Sequence, residues 1–413
     1  MNKIVKLHCV AQQYSWGNYG LNSTVAQLLS ADSCVKIDES APYAELWMGA
    51  HPSAPSVVET DDHKRLTLQQ YLEANGIESL LGKQVVDRFG AVFPFLFKVL
   101  SIRTALSIQS HPDSDLAKKL FEKFPDIYKD PYHKPEIAIA LTPFKALCGF
   151  RPLNDIIQFI NDVPELKASI HASIESDKLD HSNCSLYLNN VVVALLKTNA
   201  TVIKENLATL VNRISAQSTK NDLDQLVLVL HEQYPGDVGV FFAYLLNYIQ
   251  MAPGQALFLP AGEPHAYVAG DCVECMAPSD NVVRAGLTPK LKDVDTLAHM
   301  LTYNTGEPPL VKPICESDNH ALFRPPVDEF EVESYHISEG AEQSIKSRRG
   351  PAIVLVLDGN IQISSSLQPQ NNFDKLIKGT VLFVPIDTPF TVKTIDSKSS
   401  TLYIARVSER LFK

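Results

Sequence analysis

The sequence lacks the features that would place it in a membrane or on a nucleic acid. Its longest apolar runs, such as Val191–Leu196, are far shorter than the roughly 20 residues that a helix needs to cross a bilayer. No apolar stretch typical of a signal peptide follows the first residues. Positive charge is also scarce, because 37 Lys and Arg stand against 47 Asp and Glu, a net charge of −10. We therefore expect no membrane and no nucleic-acid partner, and any anionic ligand needs a local cluster of cations.

Cysteine offers no disulfide framework. The chain has seven cysteines, an odd number, which fits a reducing compartment and predicts a cytoplasmic protein. Cys272 and Cys275 form a lone C-x-x-C with no second pair at usable spacing. We interpret both as buried strand residues rather than as zinc or redox ligands.

The chain changes character along its length, and 413 residues are enough for two or three domains. Strand-like runs at Phe93–Ile102 and Glu136–Leu141 flank a predicted helix over Ser114–Phe124, with Asp113 or Ser114 as its N-cap. Apolar spacing of three to four residues then predicts a block of helices, and Pro235-Gly236-Asp237 caps one more that runs to about Tyr248. The predicted helices of that block are Leu153–Ile160, Leu186–Lys197, Val202–Ile214 and Leu223–Leu230.

An internal repeat indicates two similar β units. Gly254–Pro260 matches Gly379–Pro385 in spacing and apolar pattern, and the continued register places Phe390 where the first copy has His265. The first copy resembles the second conserved motif of cupin barrels. We therefore predict a mainly β fold with an α-helical insertion: two cupin-like (jelly-roll) β-barrels and a helical domain. The predicted divisions are 1–151 with 236–313 for the catalytic barrel, 152–235 for the helical insertion, and 314–413 for a degenerate C-terminal barrel without the metal ligand.

Three segments far apart in the sequence each offer metal ligands. Gln109 and His111 alternate along a predicted strand and so share a face. Glu136 heads a very apolar run, where a carboxylate must be paired or bound to a cation. His265 follows a Pro/Gly turn at the start of a returning strand. This N/O set, without thiolates, suits a catalytic or binding site for Zn²⁺ or a similar divalent ion.

Cations lie close to these segments in the sequence. Arg284 and Lys290 could clamp a phosphate or stabilise a developing oxyanion, although the same pattern also fits a solvated loop. Lys134 stands two residues before Glu136, and Lys98 lies one strand before Gln109. Four cations near a metal motif in an acidic chain predict a focused anion site.

The motifs together resemble the type I mannose-6-phosphate isomerase (phosphomannose isomerase) family over the whole chain. The segments that carry the resemblance are Gln13–Gly17, Ala44–Pro52, Ser107–Pro112, His133–Glu136, Gly262–Tyr267 and Asp280–Lys290. The resemblance implies a zinc-dependent aldose–ketose isomerase that interconverts mannose 6-phosphate and fructose 6-phosphate through a cis-enediol(ate). It also implies one Zn²⁺ per chain, held by Gln109, His111, Glu136 and His265, and a catalytic arginine at Arg284.

The remaining expectations concern the general base, the substrate contacts and the oligomeric state. Glu274 and Lys134 are both candidates for the general base, which needs a pKa moved toward neutrality. Contacts to a phosphorylated hexose are expected from seven residues: Trp16, Glu45, Lys98, Ser107, Tyr267, Asp280 and Lys290. We expect the protein to be a monomer. Two other functions stay open: a non-catalytic cupin that binds sugar phosphates, and a cupin Fe²⁺ oxygenase, against which a fourth ligand at Gln109 and the cation cluster argue.

Overall fold

Strands and helices alternate through the chain in a mixed fold. The computed structural model describes residues 3–31, 35–172, 183–365, 369, 372–395 and 398–413. The strands are β1 (Val5–Leu7), β2 (Val10–Gln12), β3 (Asn18–Tyr19), β4 (Pro42–Tyr43), β5 (Glu45–Met48), β6 (Val57–Glu59), β7 (Arg65–Thr67), β8 (Leu96–Ile102), β9 (Ile108–Ser110), β10 (Glu136–Ala140), β11 (Phe144–Phe150), β12 (Leu246–Met251), β13 (Ala256–Leu259), β14 (His265–Met276), β15 (Val283–Gly286), β16 (Leu310–Val311), β17 (Ile314–Ser317), β18 (His320–Phe323), β19 (Glu331–Ile337), β20 (Glu342–Ile345), β21 (Ala352–Asp358), β22 (Ile361–Ser364), β23 (Phe373–Leu376), β24 (Val381–Val384), β25 (Phe390–Thr394) and β26 (Ser400–Arg406). The helices are α1 (Thr24–Ser30), α2 (Leu68–Asn75), α3 (Ile77–Leu81), α4 (Lys83–Phe89), α5 (Ser114–Lys123), α6 (Leu153–Asp162), α7 (Pro164–His171), α8 (Cys184–Lys197), α9 (Ala200–Ser215), α10 (Asp222–Gln233) and α11 (Val294–Met300), with 3₁₀ turns at Gly20–Asn22, Val238–Tyr244 and Glu409–Phe412.

Three larger sheets and two two-stranded sheets, β3-β4 and β6-β7, make up the β structure of the described residues. The largest has eleven strands, and its main path runs β16-β13-β10-β14-β8-β5-β2, with β9, β11, β12 and β15 joined beside β14. A seven-stranded sheet runs β1-β24-β21-β26-β19-β18-β17, and a four-stranded sheet runs β20-β25-β22-β23. These strand orders are open: within the described residues, no sheet closes into a barrel. The mixed strand and helix content is therefore established, and the predicted barrels remain a prediction.

Strict alternation along the central strands gives the eleven-stranded sheet two different faces. On β8, Phe97 and Val99 point into the apolar core shared with the seven-stranded sheet. Leu100 points to the other face, which has an apolar core of its own. Because side chains alternate along a strand, Lys98 shares the face of Leu100. That second face carries the polar residues described below.

The helices of the predicted block lie where the sequence places them. α6, α8, α9 and α10 each overlap a predicted helix and bury their apolar stripes in one core. The caps are those expected at helix starts: Asp113 accepts backbone hydrogen bonds at α5, and Asn183, Asn199 and Asn221 do so at α8, α9 and α10.

One predicted helix is wrong at its end. Asp237 does cap a helical segment, but this segment is a 3₁₀ turn over Val238–Tyr244. From Leu246 the chain is strand β12, where the prediction continued the helix to about Tyr248. Pairing of β12 with β11 provides its hydrogen bonds, and this tertiary ladder outweighs the local helical pattern.

The two halves of the internal repeat adopt matching structures. The Gly254–Pro260 and Gly379–Pro385 segments form β13 and β24, and the strands that follow begin at His265 and at Phe390. Phe390 packs in the apolar core between the seven-stranded and four-stranded sheets. β1 pairs with β24 in this second unit, with Val5 opposite Phe383. The predicted domain divisions thus stay a prediction, and one N-terminal strand crosses them.

Two further expectations concern cysteines and membrane spans. Cys272 and Cys275 are free and buried on β14, as interpreted from the sequence. Among the described residues no single helix is long and apolar enough to cross a membrane, although the bent pair Cys184–Lys197 and Ala200–Ser215 passes that test together by length and composition.

Candidate metal centre and the adjoining polar face

A bend in β14 brings the two ends of the candidate site together. The first half of this twelve-residue strand pairs with β11 and β9, and the second half pairs with β8 and β10. The bend lies at Gly270, whose φ is +107° and where a Cβ would lie 2.5 Å from a backbone carbonyl oxygen. Only glycine meets both conditions without strain. The bend allows Tyr267 in the first half to donate a hydrogen bond of 2.8 Å to Glu274 in the second half.

His111, Glu136 and His265 form a buried group whose ligand atoms all lie within 4.8 Å of one another. The carboxylate Oε2 of Glu136 is 3.4 Å from His111 Nε2 and 3.3 Å from His265 Nε2. Ligands at about 2.0–2.1 Å in a tetrahedral zinc site lie roughly 3.3 Å apart, so these separations fit one zinc ion. None of the three atoms has a hydrogen-bond partner among the described residues, which is costly for buried polar atoms unless a cation binds them.

Hydrogen bonds on the far side of each imidazole orient these ligands. His111 Nδ1 lies 2.7 Å from the Asn281 carbonyl oxygen, and His265 Nδ1 lies 2.9 Å from that of Glu263. Because a carbonyl only accepts, each Nδ1 carries the proton and each Nε2 lone pair faces the centre. This is the tautomer that a metal ligand requires.

The charge state of the group also suits a cation. Burial lowers the pKa of His111 to about 4, so its imidazole is neutral at pH 7. Burial alone would raise the pKa of Glu136, but His111 and Lys134 hold it well below its usual value, and Lys134 Nζ lies 3.4 Å from its other oxygen. Neutral imidazoles and an ionised carboxylate are the forms that bind divalent metals. The donor set therefore fits a single zinc ion.

Gln109, the fourth predicted ligand, lies beside this group. On β9 it is the register partner of His265 on one side and of Arg284 on β15 on the other. Gln109 and His111 were predicted to share one face of a strand. Gln109 lies on β9, but His111 comes just after the end of this strand. The sheet thus places Gln109 between a metal ligand and the predicted catalytic arginine.

A buried ion-pair network covers the same face of the sheet next to the metal centre. Lys98 Nζ lies 3.2 Å from Glu274 and 3.3 Å from Glu45, and it stacks over the ring of Trp47. Although burial alone would lower it, Glu45 and Glu274 hold the pKa of Lys98 above its usual value. Burial raises the pKa of Glu274. The structure therefore brings Glu45, Lys98, Glu274 and Tyr267 together in one contact network.

The predicted cations differ in how they are paired. Lys98 and Lys134 both contact carboxylates, whereas Arg284 has no ion pair among the described residues and burial alone lowers its pKa. Lys290 is exposed in the turn after β15, and no described contact joins it to the metal centre. Arg284 is thus the cation of the set that is partly buried and not already neutralised.

Trp16 and Ser107 lie at the margin of this region. Trp16 packs against the apolar core on this face of the sheet and stacks on Tyr14, so its described contacts are those of packing. Ser107 is partly exposed just before β9. The described contacts link neither side chain to the metal ligands.

Several residues that position this site were not predicted from the sequence. His51 is buried edge-on against Trp47, and its Nε2 lies 3.5 Å from Asp280, the predicted substrate contact. The hydrogen bond from His51 lowers the pKa of Asp280. Asn281 anchors the adjoining loop by donating to the carbonyls of Asp130 and Tyr132. Trp47 and His51 lie in the Ala44–Pro52 motif, so the sequence could have indicated their role. The carbonyl of Asn281 is a backbone atom, and no side-chain pattern could have predicted its contact.

The fold and the centre together indicate a metal-binding protein whose site lies on one face of the eleven-stranded sheet. Comparison with protein families then matches three successive parts of the chain to phosphomannose isomerase type I: its catalytic domain at residues 4–153, its helical insertion domain at 163–246 and its C-terminal part at 321–366. Together these matches cover more than half of the sequence. The chain belongs to the type I phosphomannose isomerase family, a family of aldose–ketose isomerases.

Individual relatives are similar over almost their whole length. A probable mannose-6-phosphate isomerase from Dictyostelium discoideum is 54% identical, across 99% of this chain and 94% of the relative. Mannose-6-phosphate isomerase from Rattus norvegicus is 42% identical, across 98% of each chain. Among solved structures, a zinc-bound mannose 6-phosphate isomerase is 32% identical, with a TM-score of 0.83 over 98% of this chain and 100% of the other.

Proposed function

We propose that this chain is a zinc-dependent isomerase that interconverts mannose 6-phosphate and fructose 6-phosphate. The observation that carries the proposal is the convergence of His111 Nε2, Glu136 Oε2 and His265 Nε2 beside the Glu274–Lys98 network. All three atoms are buried and have no hydrogen-bond partner in the described part of the chain. The names of the relatives supply the substrate pair. Gln109 completes the ligand set by its place beside His265. When bound, zinc supplies Lewis acidity and a template for the open-chain sugar.

Glu274 is the proposed general base. The reaction must take a proton from the carbon next to the carbonyl and return it to the neighbouring carbon through a cis-enediol(ate), and one group can do both. Burial raises the pKa of Glu274 toward the working pH, while Lys98 and Tyr267 hold the carboxylate in place. Lys134, the other candidate, contacts the metal ligand Glu136 and is assigned to charge balance there.

Arg284 is the proposed electrostatic partner of the intermediate. Arg284 lies on β15, opposite Gln109 on the neighbouring strand β9. It is partly buried and has no carboxylate partner among the described residues. A fixed cation in a partly desolvated position stabilises negative charge as it develops on the enediolate oxygens. Asp280, Trp16, Glu45, Tyr267 and Ser107 are assigned to the pocket wall. Lys290, exposed in its turn, is assigned to the phosphate at the mouth.

The finer architecture belongs to the same proposal. We assign residues 1–151 and 236–313 to a cupin-like catalytic unit, 152–235 to a helical insertion, and 314–413 to a degenerate cupin-like unit. Matching strands β13–β14 and β24–β25 support the repeat, with Phe390 in the His265 position. The protein is proposed to act as a cytoplasmic monomer with one zinc ion.

A turnover assay with metal analysis tests this function. Purified zinc-loaded protein is given mannose 6-phosphate, and fructose 6-phosphate is measured through coupled enzymes. We expect steady formation of fructose 6-phosphate and one zinc per chain. Zinc-replete protein without turnover would instead indicate a non-catalytic sugar-phosphate binder. Stoichiometric iron in the protein as purified, before zinc loading, together with oxygen uptake would indicate the oxygenase.

A further inference from the structure

A second polar cavity lies in the C-terminal unit, away from the metal centre. Its volume is about 170 Å³, and its lining includes three cations and one carboxylate: Lys346, Arg348, Arg406 and Glu333. The cavity lies where strands β18, β19 and β26 of the seven-stranded sheet face the edge strand β20 of the four-stranded sheet. None of the lining residues belongs to the metal centre.

Arg406 reaches this cavity because of strand alternation. Leu402 and Ile404 on β26 fill the apolar core between the two sheets. Arg406, two residues further, points to the same face and is only 4% exposed. This row of apolar side chains therefore ends in a buried guanidinium. Burying it costs free energy unless its N–H groups donate hydrogen bonds.

Glu333 accounts for only part of that hydrogen-bonding capacity. Its fully buried carboxylate accepts 2.9 Å and 3.0 Å bonds from one terminal nitrogen of Arg406 and one of Arg348, and a 3.0 Å bond from Tyr335. The Nε–H groups of both arginines are buried and have no acceptor among the described residues. A guanidinium has five N–H donors, so each arginine keeps capacity for a further acceptor.

The local charge is opposite to that of the whole chain. Three cations against one carboxylate leave this cavity positive, whereas the chain carries a net charge of −10. The one carboxylate is already bound by two guanidinium groups. An incoming anion therefore meets cations that Glu333 does not fully neutralise.

We propose that this cavity binds a tetrahedral phosphate oxyanion, either inorganic phosphate or the phosphoryl group of a small metabolite. Arg348 and Arg406 bind its oxygens through guanidinium N–H groups that Glu333 does not engage, and Lys346 at the rim adds charge. Guanidinium geometry suits phosphate oxygens. A water site needs roughly 10–15 Å³ of such volume, so about 170 Å³ holds a phosphate and a small attached group.

Changing the charge at the rim tests the site without disturbing its buried ion pairs. Gln343 lines the cavity and lies only partly buried on β20, so Gln343→Glu adds one negative charge with little change of shape. Gln362→Glu on β22 is the matched control, because it makes the same change in the same sheet outside the lining. Lys346→Gln removes the exposed rim cation as an independent variant.

Affinity is measured by calorimetry and by thermal shift with inorganic phosphate, and separately with glycerol phosphate as a small monoester. The metal centre is the same in all the proteins, so differences between them report the C-terminal cavity. We expect Gln343→Glu and Lys346→Gln to weaken binding about tenfold or more, with isomerase turnover unchanged and Gln362→Glu like wild type. A difference for phosphate alone indicates the free ion, and a difference for both probes indicates phosphoryl recognition. Equal affinities in all four proteins, or no saturable binding of either probe, would overturn the proposal.

Discussion

Replacing Tyr267 by Phe tests the role of Glu274 as the general base. The Tyr267 hydroxyl is buried and donates a 2.8 Å hydrogen bond to Glu274. A hydrogen bond to a charged group contributes about 1.5–3 kcal/mol, which corresponds to about 1–2 pKa units. Burial already raises the pKa of Glu274. The hydrogen bond from Tyr267 stabilises the ionised carboxylate, so losing it raises this pKa further.

The direction of the pH effect follows from the base role. A base acts only when deprotonated, so activity is lost as pH falls through its pKa. We expect the acidic limb of the kcat/KM profile for Tyr267→Phe to move about 1–2 pH units upward, with near-normal activity above it. The assay is coupled turnover of mannose 6-phosphate across pH, on protein of verified zinc content.

Tyr335→Phe provides a matched control for this variant. Tyr335 is also buried and donates a 3.0 Å hydrogen bond to a buried carboxylate, that of Glu333 in the C-terminal unit. It removes the same kind of bond away from the metal centre, so its pH profile should match wild type. A folded, zinc-loaded Tyr267→Phe protein with an unmoved acidic limb would refute the assignment of Glu274.

Three further changes test other parts of the site. Arg284→Ala should keep zinc but lower kcat by about 10²–10³, as for loss of one oxyanion donor, and kcat like wild type would exclude its proposed role. Lys98→Met leaves the carboxylates of Glu45 and Glu274 buried without their cation, so urea unfolding should show a loss of about 3–5 kcal/mol; an unchanged midpoint would contradict the network. Gly270→Ala places a Cβ 2.5 Å from a carbonyl oxygen at positive φ, so it should lower Tm and zinc content together, and a variant with normal Tm and zinc would show that the bend tolerates a side chain.

Local patterns predicted much of the fold because they reflect local physics. Asp113 begins α5 as a cap, and the apolar spacing of α8 and α9 matches their buried stripes. The error near Tyr248 arose because β12 depends on a partner strand distant in sequence. The pairing of β1 with β24 could not be predicted for the same reason, because no pattern within Val5–Leu7 specifies its partner strand.

The metal ligands could be proposed from sequence, and the ion pairs around them could not. His111, Glu136 and His265 converge as the motifs indicated. Lys98, however, was expected as a contact to the substrate, and the structure places it between two carboxylates. Such pairing depends on register across neighbouring strands, and the orienting carbonyl of Asn281 is a backbone atom that any residue type would supply.

Zinc content and turnover of His265→Ala, measured on the same preparation, test the central claim most directly. His265 supplies one of the three converging ligand atoms, so its loss should remove bound zinc and isomerase activity together. His299→Ala on the exposed face of α11 is the control and should retain both. A His265→Ala protein that keeps one zinc per chain and normal turnover would contradict the account.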